Sequence, residues 1–277
     1  CKAGNPKMIN YMLDWYRLPS GFENGVWLSQ IQQGLAIKYA VEHWRRNMPR
    51  CMGSLYWQIN DCWPVASWAS IDSFGRLKAL HYMARHFYAP LLLSGLEDAQ
   101  KGTVALHVSS DCLENKQCEV VWTATDLKGR ELRSETHSAE IAANANTWVT
   151  TVDVDDLLRS ESPRNILIWL ELYNNGECVG TNFVTFARPR DFALPDPEIS
   201  HTIQANEDGT FDISLQTEKP ALWAWIEFTD TDAHFSDNFV CLRPGQTKII
   251  RVTPWESISR DALANQVTIR SIFDTYQ

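Results

Sequence analysis

The densest run of side chains able to do chemistry lies between Met52 and Pro90, reading MGSLYWQINDCWPVASWASIDSFGRLKALHYMARHFYAP. Its start, Gly53–Ile59, is short, apolar and aromatic, which predicts a strand buried on both faces. A Pro-containing, Trp-rich loop follows from Asn60 to Phe74. In a parallel α/β barrel the side chains at a strand's C-terminal end project into the mouth where such folds place their sites. Trp57, Asn60 and Asp61 are therefore the candidate substrate-binding residues. An indole offers a flat apolar face to the C–H side of a sugar ring. An amide and a carboxylate can exchange hydrogen bonds with hydroxyls or orient a neighbour. A core Trp and a turn-capping Asp would have the same spacing, so the residue pattern leaves both readings open.

Other candidates carry less. His81 and His86 are five apart on a predicted helix, whereas helical partners stand three or four apart, so they read as packing or surface residues. Asp237-Asn238 suits an Asx turn before a strand better than a cation or sugar site. Trp223 and Trp225, two apart in a predicted strand, point to one face, either as a sugar platform or as sandwich core. No phosphate loop, nucleophile elbow, EF-hand or zinc spacing occurs, so neither a cofactor nor a metal is expected.

The elements that must hold these residues follow from periodicity. Lys7–Tyr16 carries Met8, Tyr11, Met12 and Trp15 at helical spacing, and Pro19-Ser20-Gly21 breaks it. A long helix is expected from about Glu23 to Arg46, with Leu28, Ile31, Leu35, Tyr39 and His43 on one face and Arg45 and Arg46 suited to its last turn. Another runs from Leu77 to Phe87 and stops at Pro90. Helix, buried strand, loop and helix form the grammar of a parallel α/β structure. A single strand makes no sheet, so residues 1–93 are expected to be the C-terminal segment of a (β/α)8 barrel whose earlier strands lie outside this chain. From about Thr103 the texture changes to alternation of period two, with hairpin turns at Lys128-Gly129 and Asn174-Asn175-Gly176. Residues 94–190 thus predict one immunoglobulin-like β-sandwich and 191–277 a second. The Pro-rich stretch Arg188–Pro197 between them reads as a semi-rigid linker.

Composition narrows the function class. The 277 residues have a net charge of −9, and their basic residues are scattered apart from Arg45-Arg46. That excludes the basic stripe a nucleic-acid binder needs and favours a neutral or cationic substrate. No apolar run approaches the roughly 20 residues of a membrane helix. Of 12 tryptophans, six (Trp15, Trp27, Trp44, Trp57, Trp63, Trp68) fall in the first quarter, which suits a carbohydrate protein. Seven cysteines with irregular spacing predict reduced thiols. With no N-glycosylation sequon, this favours a cytoplasmic or bacterial periplasmic setting.

The run LYWQINDCWPVASW…SIDSFGRLKALHY…A…FYAPLL resembles the hallmark of the β-mannosidase branch of glycoside hydrolase family 2. The preceding YMLDWYRLP…FENGVWLSQIQQGLAIKYAVEHWRR and the later HFSDNFVCLRPGQTK are similar to segments of the same enzymes. The resemblance implies a retaining exo-β-mannosidase, or a related exo-β-glucosaminidase or β-galactosidase, with two Glu carboxyls about 5–5.5 Å apart. A carbohydrate-binding or structural sandwich is the non-enzymatic alternative. In the family the acid/base follows an Asn and the nucleophile lies in a Ser-Glu-[Phe/Tyr]-Gly strand end. Here the one Asn-Glu pair, Asn206-Glu207, falls in a predicted β-turn, Glu23 follows Phe22, and Glu42 lies on a helix. Both catalytic carboxylates are thus expected upstream of Cys1, and this chain alone is expected to be inactive. Trp57 transfers as a wall of the subsite for the non-reducing sugar, with Asn60 and Asp61 similar in position. The implied partners are a β-mannoside oligosaccharide and the rest of the catalytic barrel.

Overall fold

The computed structural model describes residues 3–276, which form three long helices followed by two all-β regions. The chain divides into two compact units whose boundaries cut across the helices. One gathers the segment up to Leu35, Tyr56–Met83 and everything from Leu194; the other gathers Ala36–Leu55 and Ala84–Ala193.

In the first unit, helix α1 (Gly4–Trp15) ends before the Pro19 break, and α2 (Gly21–Arg46) begins at Gly21, whose φ of +81° few other residues tolerate. The predicted α1 stripe is only partly buried: Met12 is inside, while Met8 and Tyr11 are exposed. Leu28 and Ile31 of α2 are fully buried as expected. Gly34 admits helix α3 (Ala79–Phe87), because a Cβ there would lie 2.3 Å from Sδ of Met83. The backbone N–H of Ala79, an orphan donor at the start of α3, is taken by Oε1 of Gln30 at 3.2 Å.

The all-β part of this unit is a sandwich of two sheets. One has the order β12 (Val240–Leu242), β10 (Ala221–Phe228), β14 (Val267–Arg270). The other runs β11 (Ala233–Phe235), β13 (Lys248–Pro254), β9 (Phe211–Gln216), β8 (Ser200–Ala205). Ala224, Ile226, Ile213 and Val252 fill the space between the sheets. At β12 the side chain of Asn238 replaces a missing ladder rung, accepting from Ile226 N and donating to Ile226 O at 2.9 Å each. Asp237 accepts from the N–H of the next residue, Asn238, at 3.0 Å, and its carboxylate meets Nζ of Lys248 at 3.0 Å.

The second unit contains the other sandwich: β1 (Leu91–Asp98), β2 (Thr103–Ser110) and β5 (Ala145–Asp153) against β4 (Glu131–Ile141), β3 (Lys116–Asp126), β6 (Ile166–Asn174) and β7 (Glu177–Val184). Val120, Trp122 and Ala124 alternate into its core together with Val104, Leu106 and Val108, as the period-two pattern required. The final third of α2 belongs to this unit and departs from the expected stripe. Tyr39 and His43 face outward, while Val41, Glu42 and Arg45 are buried. The cause is polar: Glu42 takes Nζ of Lys38 at 2.9 Å and the Asn182 amide at 2.8 Å. Arg45 donates to the carbonyls of Phe87 (2.9 Å) and Ala89 (2.7 Å) and to Asp111 (2.9 Å). Burial lowers the pKa of Arg45 and Asp111 opposes it, yet a guanidinium stays charged at any physiological pH. Nor is the Pro-rich stretch a free linker, since Phe192 is fully buried and Pro189–Asp191 forms a 3-10 turn.

A candidate sugar-binding surface around Trp57

Trp57 sits in an extended segment that differs from the expected doubly buried strand. Among the described residues the only ladder contacts of 51–61 are with 70–71: Ile59 O accepts from Ser70 N (3.1 Å) and Ile71 N (2.8 Å), and Asp61 N donates to Ile71 O (3.0 Å). A strand is buried by neighbours on both sides, and within this chain the segment has one. Leu55 is therefore 97% exposed and the indole of Trp57 74% exposed. The peptide between Trp57 and Gln58 is cis.

The three candidates have different surroundings. Trp57 presents its ring to solvent, and the aromatic loop beyond presents Trp63 and Trp68 as well. Asn60 is exposed, its amide donating to Asp61 O at 3.3 Å. Asp61 departs from the expected outward projection, being only 7% exposed. Its two oxygens receive the Ser67 hydroxyl at 2.6 and 2.8 Å, and Nζ of Lys78 lies 3.1 Å from one of them. The Ser67 hydrogen bond, reinforced by Lys78, holds this carboxyl below the usual carboxylate range. Ser67 also accepts Ala69 N at 3.0 Å, and Gln33 of α2 holds Trp68 O at 2.8 Å. Asp61 thus closes the Cys62–Ser67 loop and ties it to the start of α3, so that its free lone pairs face protein rather than solvent.

The other candidates separate as well. His86 is exposed, whereas His81 places Nδ1 3.2 Å from Oγ of Ser70 and so supports this segment. Trp223 and Trp225 are not a sugar platform, and they are not the sandwich interior either. Both are buried on the opposite face of β10, where Tyr16 meets Trp223 edge-on at 6.0 Å and Trp27 lies 5.3 Å from Trp225. Helices α1 and α2 cover that face. Six cysteines are free thiols (Cys51, Cys62, Cys112, Cys118, Cys178, Cys241), while Cys1 lies outside the described residues. No group of His, Cys, Asp and Glu among the described residues could hold a metal ion. Ser67, Ser70 and Lys78 carry no sequence signal as supports, because their partners are set by the path of the loop.

Comparison with known proteins converges on one family. Residues 102–191 match a family model described as a mannosidase Ig/CBM-like domain, and 194–275 match a mannosidase Ig-fold domain. A β-mannosidase of Bos taurus is 29% identical over 294 residues, covering 99% of this chain and 33% of the relative. β-Mannosidase A of Neosartorya fischeri is 30% identical over 266 residues, covering 89% and 28% respectively. The crystal structure of a β-D-mannosidase from Dictyoglomus thermophilum superposes with a TM-score of 0.87 at 24% identity, over 98% of this chain and 32% of that one. An exo-chitosanase of Amycolatopsis orientalis shares the fold with a TM-score of 0.71 at 18% identity, over 96% of this chain and 36% of that one. The chain therefore spans about a third of the length of these relatives. Two matching domain models, relatives aligned over nearly the whole chain and a superposing fold agree: the chain belongs to the β-mannosidase branch of glycoside hydrolase family 2, as a C-terminal part of such a protein.

Proposed function

We propose that this chain forms part of the sugar pocket of a retaining exo-β-mannosidase, which removes terminal β-linked mannose from oligosaccharides. On this reading residues 1–93 are the last segment of a (β/α)8 barrel, residues 94–190 and 191–277 are its two companion sandwiches, and both catalytic glutamates belong to polypeptide outside the chain. Trp57 is the wall of the subsite for the non-reducing sugar. Asn60 offers its amide to a hydroxyl, and Asp61 acts by holding the loop in place. The observation that carries the proposal is the place of Trp57 near the end of a segment that resembles the family hallmark, in a chain that belongs to that family. An indole there can offer a flat face to the C–H side of a pyranose. Further support comes from Ile59 and the aromatic loop residues Trp63 and Trp68, apolar side chains left in solvent where a barrel's remaining strands would lie.

Turnover is expected from the longer protein containing both the glutamates and this chain, assayed with nitrophenyl β-mannoside, β-glucosaminide and β-galactoside. The mannoside should give the highest kcat/KM. Absence of mannoside hydrolysis with turnover of the glucosaminide would replace the mannosidase reading with that of a related exo-glucosaminidase.

A further inference from the structure

Ser70 is completely buried, and both its N–H and its hydroxyl are hydrogen-bonded to the segment that carries Trp57. Its backbone N–H is shared between the carbonyls of Gln58 and Ile59 at 3.1 Å each. Its hydroxyl reaches Ile59 O at 3.0 Å and the phenol of Tyr56 at 2.9 Å. The residues on either side of Trp57 are thus tied to one serine: Tyr56 through its side chain, Gln58 through its backbone. Behind Ser70 stands Nδ1 of His81, 3.2 Å from the hydroxyl. His81 lies on α3, whose first free N–H is held by Gln30 of α2, so the imidazole is anchored by two helices. Burial depresses the pKa of His81, so the ring is neutral near pH 7.

We propose that Tyr56, Ser70 and His81 are positioning residues that fix the direction in which the Trp57 indole leaves the backbone. A stacking surface is useful only if it is rigid before the sugar arrives, because every rotamer frozen on binding costs affinity. With its ring 74% exposed, Trp57 gains little rigidity from packing within this chain, so the hydrogen bonds on both sides of it must supply it. The exposed loop leaves the indole free to meet a ligand, and the buried serine keeps its backbone still. The proposal rests on the functional reading of Trp57, but its first readout does not need activity.

The variants Tyr56→Phe, Ser70→Ala, His81→Gln and His81→Asn are made in the full chain. The indole N–H resonance of Trp57 is identified by its loss in Trp57→Phe, and the indoles of Trp223 and Trp225 serve as buried references. An asparagine amide reaches the place of Nδ1 and can donate or accept there, whereas a glutamine amide reaches the place of Nε2. Tyr56→Phe, Ser70→Ala and His81→Gln are expected to broaden or shift the Trp57 resonance and leave the references in place, and His81→Asn to restore it. In the longer protein the first three should raise KM for nitrophenyl β-mannoside about five- to twentyfold, with kcat changed less. An unmoved Trp57 resonance in folded Tyr56→Phe and His81→Gln chains overturns the proposal, and so does equal movement of all three indoles, which would mean a general structural role. If Ser70→Ala fails to fold, Tyr56→Phe still decides, since it removes one hydroxyl and keeps the ring. A longer protein inactive on mannosides would overturn the functional reading and leave the indole result to stand by itself.

Discussion

The contrast between Trp57 and Asp61 shows how the five residues from one to the other divide binding from support. Replacing Trp57 with Ala removes exposed surface, so the stability of the chain should change by no more than about 0.5 kcal/mol in urea titration. The same change in the longer protein should lower kcat/KM about 10- to 100-fold, equivalent to about 1.4–2.7 kcal/mol. Asp61→Asn should act in the opposite way, with its main effect on folding. It leaves Lys78, whose side chain is 15% exposed, without its charge partner, and a loss of about 2–3 kcal/mol is expected. The pH dependence has a definite sign. Asp61 has its pKa depressed in the folded chain, so its contribution is complete above the unfolded value of about 3.9 and is lost as pH falls through the folded value. Denaturant midpoints of wild type and Asp61→Asn should therefore differ most near neutrality and converge below about pH 4. A gap that stays constant down to pH 2 would show that the charge of Asp61 contributes nothing.

At the level of elements, the parts with strong local periodicity were readable from sequence. α2 ends at Arg46 as expected, and Val104, Leu106 and Val108 alternate into the core as their period-two pattern predicts. Elements defined by their partners were not readable. Gly53–Ile59 looked like a buried strand because its residues are apolar, but burial depends on neighbours that the segment's own letters do not describe. The short β11 and the helical turn Arg260–Ala264 lack any periodic run long enough to notice. Trp223 and Trp225 were placed on one face correctly in principle, yet neither proposed role held, since their covering helices lie some two hundred positions earlier in the chain. The C-terminal third of α2 failed for a similar reason: its buried face is ionic, and a hydrophobic stripe cannot reveal it. Arg45→Lys tests that ionic face, because an ammonium cannot serve two carbonyls and Asp111 in the fork geometry of a guanidinium. A loss of about 2–4 kcal/mol is expected in thermal or urea unfolding. Gly102→Ala tests the turn between β1 and β2. Its Cβ would lie 2.7 Å from the backbone Cα of Asp155, at a φ of +65°, and should cost about 2–4 kcal/mol.

For the molecule as a whole, the family assignment and the catalytic reading make different demands on this chain. The 277-residue chain by itself should show no hydrolysis of any nitrophenyl glycoside, because a retaining mechanism needs two carboxyls in register. Measurable turnover by the purified chain would mean that a carboxylate such as Glu23 or Glu42 had been overlooked. Its exposed apolar side chains other than Trp57, among them Tyr11, Phe22, Ile59, Trp63 and Trp68, should bind a hydrophobic dye that the longer protein does not. Equal dye binding by both would argue against a barrel covering these residues. The helices over Trp223 and Trp225 have one more consequence, for anyone dividing this protein into pieces. The terminal sandwich has the outline of an independent immunoglobulin-like domain, but one of its outer walls is made by residues from the start of the chain. Excised at the Pro-rich junction, it would expose two large indoles and lose the partners of Arg270 and Thr275, Glu23 and Ser20. Such a piece should precipitate or pair with itself, so a boundary drawn from sequence families alone would yield an unstable product.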